Sequence, residues 1–175
     1  MISIKDKNEA IKVLLEQKPL VIFQGSSEWG PRALGNRSIL FDPRNKEAKN
    51  IVNKFKKREW WRPLAGTILL EHAHDYFDMG SLKESPYMSF AVDAKEKAVQ
   101  GIPSIVHVDN TCRIQTVTRD QNQSFYDLIL EFYQQTQCPM LLNTSFNRAG
   151  DPIVEDLEYC KQTILTTEFE YVYFP

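Results

Sequence analysis

Apolar positions along the chain switch between helical and strand periods, and the switches mark out its elements. Ala10, Ile11, Leu14 and Leu15 form a helical stripe behind Asp6 and Glu9, whose three-residue spacing reads as a capping box. That helix runs into PLVIF, an apolar run of strand length. From Asn45, Ala48, Ile51, Val52 and Phe55 recur at helical spacing, with Lys56 and Arg58 flanking the stripe on opposite sides. Continued helically, Glu59 would fall on the apolar face, so the helix is expected to end near Arg58, before Pro63. LAGTILL reads as a strand, His72 to Phe77 as a short helix, YMSFAVD as strand-like, and Asp93 to Ser104 as a surface connection. TCRIQTV alternates Cys112, Ile114 and Thr116 on one face with Arg113, Gln115 and Val117 on the other, which is strand periodicity. Ser124 with Asp127 is expected to open the next helix, with Phe125, Leu128, Ile129 and Phe132 as its core stripe. CPMLL then delivers NTSFN into a loop, followed by a helix around Glu155 to Leu165 and the strand-prone EYVYF. Helices and strands interleave throughout, with no repeat or linker, so the expected fold is α/β in one domain over residues 1–175.

Composition narrows the function classes. A chain of 175 residues with 42% hydrophobic and 25% charged residues can bury a core and is not a disordered polymer. No apolar run is long enough to span a bilayer. The start, MISIKDKNEAIK, lacks the order of a signal peptide, so a cytoplasmic location is expected. Three cysteines without a CxxC pair argue against a disulfide framework or structural zinc. The net charge of −2 gives no global attraction to nucleic acid. Lys54, Lys56, Lys57, Arg58 and Arg62 are nonetheless close together, so attraction for anions would be local.

Candidate chemistry concentrates in GSSEWGPRALGN, which carries three of the seven glycines and Arg32 at the carboxyl end of the PLVIF strand. Scant side-chain bulk there would let backbone N–H groups approach an anion beside the arginine. The plainer alternative is a turn into a helix with Pro31 at its first position. Plain alternatives stand beside the other positions too: a solvated helix face for the lysine run, an acid partner for Arg113, a self-bonded loop for NTSFN. His72 and His74, two residues apart on a helix, point to different faces and form no metal site. His107 with Asp109 could orient a group near Arg113. Trp29, Trp60 and Trp61 adjoin these segments, with packing as the ordinary role and stacking on adenine as the alternative.

GPRALGNRSIL, NKFKKREWWRP, HVDNTCRIQTV and LLNTSFNRAGDPIV occur in that order. Together they resemble the C-terminal region of the O-carbamoyltransferase family of nodulation-factor and antibiotic carbamoylation, from about Val21 to near the end of the chain. The resemblance implies a YrdC-like domain, a twisted mixed sheet flanked by helices. It implies ATP, Mg²⁺ and carbamoyl phosphate, and formation of carbamoyladenylate for transfer to a hydroxyl acceptor. Family members carry a larger Kae1-like acceptor domain ahead of this region, so the acceptor half is expected on a separate Kae1-like subunit. Nucleic acid would enter only as an acceptor, and no membrane partner is implied.

By the same resemblance, the catalytic residues would be Lys56, Arg113 and Arg32, and the nucleotide-binding residues Arg58, Asn143, Ser145 and Asn147. Lys56 and Arg58 would meet phosphate oxygens, Arg32 and Arg113 the carbamoyl-phosphate or α-phosphate end, and Ser145 a phosphate. Asn143 and Asn147 would orient the adenylate or their own loop. No residue is implied as a metal ligand. Ser26, Ser27, Gly66 and Asn110-Thr111-Cys112 depart from the family pattern around the site, which bears on substrate fit. Two other functions compete: threonylcarbamoyladenylate synthesis for tRNA modification, as in YrdC itself, and a non-catalytic nucleotide- or RNA-binding module. The chain has neither a Walker phosphate loop nor an RNA-recognition signature, which weakens the last.

Overall fold

Asp6 caps helix α1 (Lys7–Leu15): its carboxylate accepts the Glu9 N–H at 2.9 Å, and Ala10, Ile11, Val13 and Leu14 turn into the core. In the computed structural model, which describes residues 1–175, this helix packs on strands β1 (Ile2–Ile4) and β2 (Leu20–Phe23). The chain continues through β3 (Arg37–Phe41), α2 (Ala48–Phe55), β4 (Ala65–Leu69), a 3₁₀ turn (Leu70–His72), α3 (Ala73–Tyr76), β5 (Phe77–Asp78) and β6 (Ala91–Ala94). Helix α4 (Glu96–Gly101), β7 (Thr111–Val117), α5 (Gln123–Thr136), β8 (Met140–Ser145), α6 (Leu157–Thr166) and β9 (Tyr171–Tyr173) complete it. The strands form one sheet in the order β1-β9-β2-β3-β8-β4-β7-β6-β5. It is mixed: β4 and β7 are parallel, as are β9 and both its neighbours, and the remaining pairs are antiparallel. Helix α5 lies against β4, β8 and α1, and its Phe125, Leu128, Ile129 and Phe132 are buried. This is the α/β fold with a mixed sheet and flanking helices. No helix is long and apolar enough to cross a membrane.

Several expectations are corrected. RSILF forms β3, all five residues buried, where no strand was expected. The stretch from Asp93 to Ser104 contains α4 rather than only a surface connection, and of YMSFAVD only the end joins a strand. Strand β8 runs on through Asn143, Thr144 and Ser145, so these residues are fixed by ladder bonds instead of hanging in a loop. The α5 cap is Asn122, whose side chain accepts the Phe125 N–H. Helix α2 stops at Phe55, three residues before Arg58. Lys57 takes a left-handed φ of 52°, and the Lys57 and Arg58 N–H groups return to the Lys54 and Asn53 carbonyls. This is a Schellman closure with lysine at the position usually held by glycine.

Cys112, Cys138 and Cys160 are free and buried, and desolvation lifts their thiol pKa values to about 12, 12 and 11. We expect none of the three to react with dithiobis(nitrobenzoate) at pH 8 in the native protein, and all three to react once it unfolds. Unfolded thiols ionise near ~8.5. The folded state keeps its protons above that, so this contribution to stability is intact below that pH and is lost as pH rises toward about 12.

Candidate active site

Sheet register decides which side chains meet. Thr67 stands opposite both Gln115 and Leu141, and Ala65 opposite Asn143. With alternation along each strand, Thr67, Arg113, Gln115, Asn143 and Ser145 therefore share one face. At the sheet end where β8 finishes and β4 and β7 begin, Arg113, Asn143 and Ser145 border a cleft of about 170 Å³. Arg32 from the loop after β2 and Arg58 from the end of α2 close over it, joined by His107 and Met88. Three arginines line the cleft and no acidic residue does.

The Arg113 side chain makes no hydrogen bond or ion pair, so the alternative of an acid partner does not describe it. Arg32 has one long contact, to the Pro31 carbonyl at 3.5 Å. Partial burial and then the charge of Arg113 hold the Arg32 guanidinium below its ordinary pKa, a sign that two cations stand near each other uncompensated. Arg58 is held by Asn53, which accepts its Nε–H at 2.6 Å, while Arg58 Nη2 is buried without a partner. Burial, followed by Arg62, pushes its pKa down to about 10. Glu59, off the helix altogether, pairs with Arg62 at 3.1 Å on the surface.

Lys56 lies under the cleft, not along its wall, and is 2% exposed. Its ammonium donates to the Ser145 carbonyl, to Ser145 Oγ at 3.3 Å and to Asn147 Oδ1 at 2.7 Å. Asn147 is also bonded by Ser145 Oγ and donates to the Asp151 carbonyl. Burial, then Arg58 and Arg62, push the Lys56 pKa well below the usual lysine value. The three oxygens act in the opposite sense by favouring the charged form. Lys56 thus fixes Ser145 and Asn147, the first of which borders the cleft.

The glycine segment differs from expectation in a way that matters for anions. It enters β3 without forming a helix, so Pro31 starts none. Some of its N–H groups are already taken: Glu28 Oε1 accepts from Leu34 and Asn36 at 2.8 and 2.7 Å, and from Arg37 just beyond at 3.3 Å. Arg32 is the cation that the loop brings to the cleft. Gly35, at φ 114°, lies so close to Phe125 that a Cβ there would stand 2.3 Å from that ring. Buried Arg37 fastens the loop from behind, donating to the Gln24, Gly25 and Glu155 carbonyls and stacking over Phe23 at 3.7 Å.

Beneath the cleft runs a polar network. Thr67 donates to Gln115 Oε1 at 2.8 Å, Gln115 Nε2 to the Leu34 carbonyl at 3.0 Å, and Asn143 Nδ2 to Thr67 Oγ1 at 2.9 Å. His107 spans Thr111 Oγ1 and the Leu64 carbonyl, and Asp109 bonds Thr111 rather than Arg113. Trp29, Trp60 and Trp61 are exposed rather than packed. His72 packs at a tilt against the Tyr133 ring. Glu28, Arg37, Thr67 and Gln115 were not anticipated as parts of the site. Gln115 carried a signal, since it shares a strand face with Arg113, and Glu28 is the one acid inside the glycine segment.

No three His, Cys, Asp or Glu side chains gather anywhere as a metal site. The cleft itself presents no carboxylate to Mg²⁺.

The cleft's cationic walls acquire a context from known proteins. Residues 11–175 match the family model described as "Carbamoyltransferase C-terminus". Nodulation protein NolNO of Sinorhizobium fredii is 45% identical over 149 residues, covering 84% of this chain and 22% of that protein. NolO of Bradyrhizobium diazoefficiens is also 45% identical, covering 84% of this chain and 27% of NolO. The chain thus spans about a quarter of the length of these relatives. A crystal structure of full-length HypF in a phosphate- and nucleotide-bound form superposes with a TM-score of 0.66 at 17% identity, over 95% of this chain and 24% of HypF. That likeness agrees with the YrdC-like fold. On the match of nearly its whole length, the chain belongs to the carbamoyltransferase C-terminus family.

Proposed function

We propose that this domain forms carbamoyladenylate from carbamoyl phosphate and ATP, in the cytoplasm, and that a separate Kae1-like subunit transfers the carbamoyl group to a hydroxyl acceptor. The reading is carried by one observation: Arg32 and Arg113 stand together, unpaired, in a cleft without a carboxylate. Such a pair is unfavourable until an anion bridges it. In the proposed reaction water cleaves carbamoyl phosphate to carbamate and inorganic phosphate, with release of a proton. A carbamate oxygen then bonds the α-phosphorus of ATP, and the bond to the β-phosphate oxygen breaks to release pyrophosphate. Arg58 and Ser145 are assigned to phosphate oxygens, and Arg32 and Arg113 to charge on the transferring centre. Such pre-aimed donors act most strongly where water is excluded. Mg²⁺ would arrive with the nucleotide.

The test is pyrophosphate release from ATP with and without carbamoyl phosphate, run with the protein alone and with its Kae1-like partner. Release that requires carbamoyl phosphate is the expected result. Release that instead requires threonine and bicarbonate would transfer the domain to threonylcarbamoyladenylate synthesis. Absence of release under every condition, with tight and salt-sensitive RNA binding, would make it a binding module.

A further inference from the structure

Two buried polar atoms of the cleft residues have no hydrogen-bond partner: Arg58 Nη2, a donor, and Asn143 Oδ1, an acceptor. An isolated orphan of each kind at one cleft describes what should fill it, since a buried group without a partner is costly and a ligand that supplies the partner recovers that cost.

The orientation of the Asn143 amide is fixed by its neighbours. Gln115 Nε2 must face the Leu34 carbonyl, which only accepts, so Gln115 Oε1 faces inward and takes the Thr67 hydroxyl proton. Asn143 then meets three acceptors, Thr67 Oγ1 at 2.9 Å, Gln115 Oε1 at 3.2 Å and the Ala33 carbonyl at 3.4 Å. Only its –NH₂ can face them, and the side-chain oxygen is left over. Asn143 is fully buried, so a donor reaching that oxygen meets no competing bulk water.

The phosphoryl group of an acyl phosphate offers such an oxygen nothing, because as a dianion it carries acceptors alone. Acetyl phosphate shares that lack, having a methyl group where carbamoyl phosphate has –NH₂. We propose that Asn143 Oδ1 accepts a hydrogen bond from the carbamoyl –NH₂, and that Asn143 is the residue by which the cleft selects carbamoyl over other acyl phosphates. Arg58 Nη2 takes a phosphate oxygen of the same ligand. This rests on the carbamoyl-phosphate reading above.

Two stable phosphonates test it directly. Phosphonoacetamide keeps the amide –NH₂, and acetonylphosphonate replaces it by methyl with the carbonyl and the phosphonate retained. Titration calorimetry on the 175-residue chain is expected to show the amide binding at least ~10-fold more tightly. Asn143→Leu is expected to erase the preference for the amide, since the loss of the Thr67, Gln115 and Ala33 contacts bears on both analogues alike. Asn143→Ala replaces it should the leucine variant not fold. Equal affinity of wild type for both phosphonates overturns the assignment alone. So does a preference that survives in the Asn143 variants, which would place the acceptor elsewhere. Binding of neither phosphonate overturns the carbamoyl-phosphate reading together with this inference.

Discussion

Arg113→Ala is expected to lower carbamoyl-phosphate-dependent pyrophosphate release by about 100-fold or more, the range seen when one donor aimed at a transition state is removed. Stability should be spared. The Arg113 side chain is hydrogen-bonded to nothing in the protein, and its charge opposes that of Arg32. Its loss therefore leaves no orphaned partner and relieves a repulsion, so the melting temperature should hold or rise slightly. Activity and stability move in different directions only if the residue serves a ligand. Arg113→Lys keeps the charge and loses the two-pronged geometry, so it should fall between the two. Turnover within tenfold of wild type in Arg113→Ala would remove Arg113 from the reaction.

Lys56→Met is the companion case, acting one layer deeper. Its ammonium serves Ser145 and Asn147, so removal should release the end of β8 from its set position. A displacement of this kind at an active site costs about 100-fold in rate. Stability should change by no more than about 2 kcal/mol, because opposing effects meet. The Ser145 carbonyl loses its donor, while the penalty of burying a cation beside Arg58 and Arg62 disappears. Asn147 Oδ1 still receives the Ser145 hydroxyl. Lys56→Arg should not rescue activity, since a planar guanidinium does not fit a space built around a point charge. Steady-state turnover and chemical unfolding of the two variants decide this, and a methionine variant with near-normal turnover would sink the positioning role.

How far the sequence revealed all this depended on whether a residue's partner lay nearby. Thr111–Val117 was legible to the residue, because one side of β7 is apolar and the other begins with Arg113. Strand β3 was hidden: all five residues are buried, Arg37 and Ser38 among them, so no alternation exists to be read. Helix α4 was hidden for the opposite reason, burying only Ala98 and showing no stripe. Among site residues the cations were visible and their wiring was not. Lys56 was expected on a helix flank, but the left-handed Lys57 ends the helix early and the Lys56 side chain goes inward instead. Nothing in the identity of Lys57 announces that conformation, which glycine would have signalled. Likewise the glycine segment suggested free N–H groups, and only the folded loop shows Glu28 occupying two of them, Leu34 and Asn36.

The place of β8 in the sheet has a consequence for how the chain reaches this state. It is eighth of nine strands in sequence and the middle one in space, paired on one side with β3 and on the other with β4. Before Met140 leaves the ribosome, the earlier strands can make only two separate partial sheets, each with a bare inner edge waiting for the same partner. Closing them joins residues about a hundred apart, an arrangement that slows folding and exposes sticky edges in the interval. The strand that ends the wait is also the one carrying Asn143 and Ser145, so the cleft is completed in the same event that joins the two partial sheets.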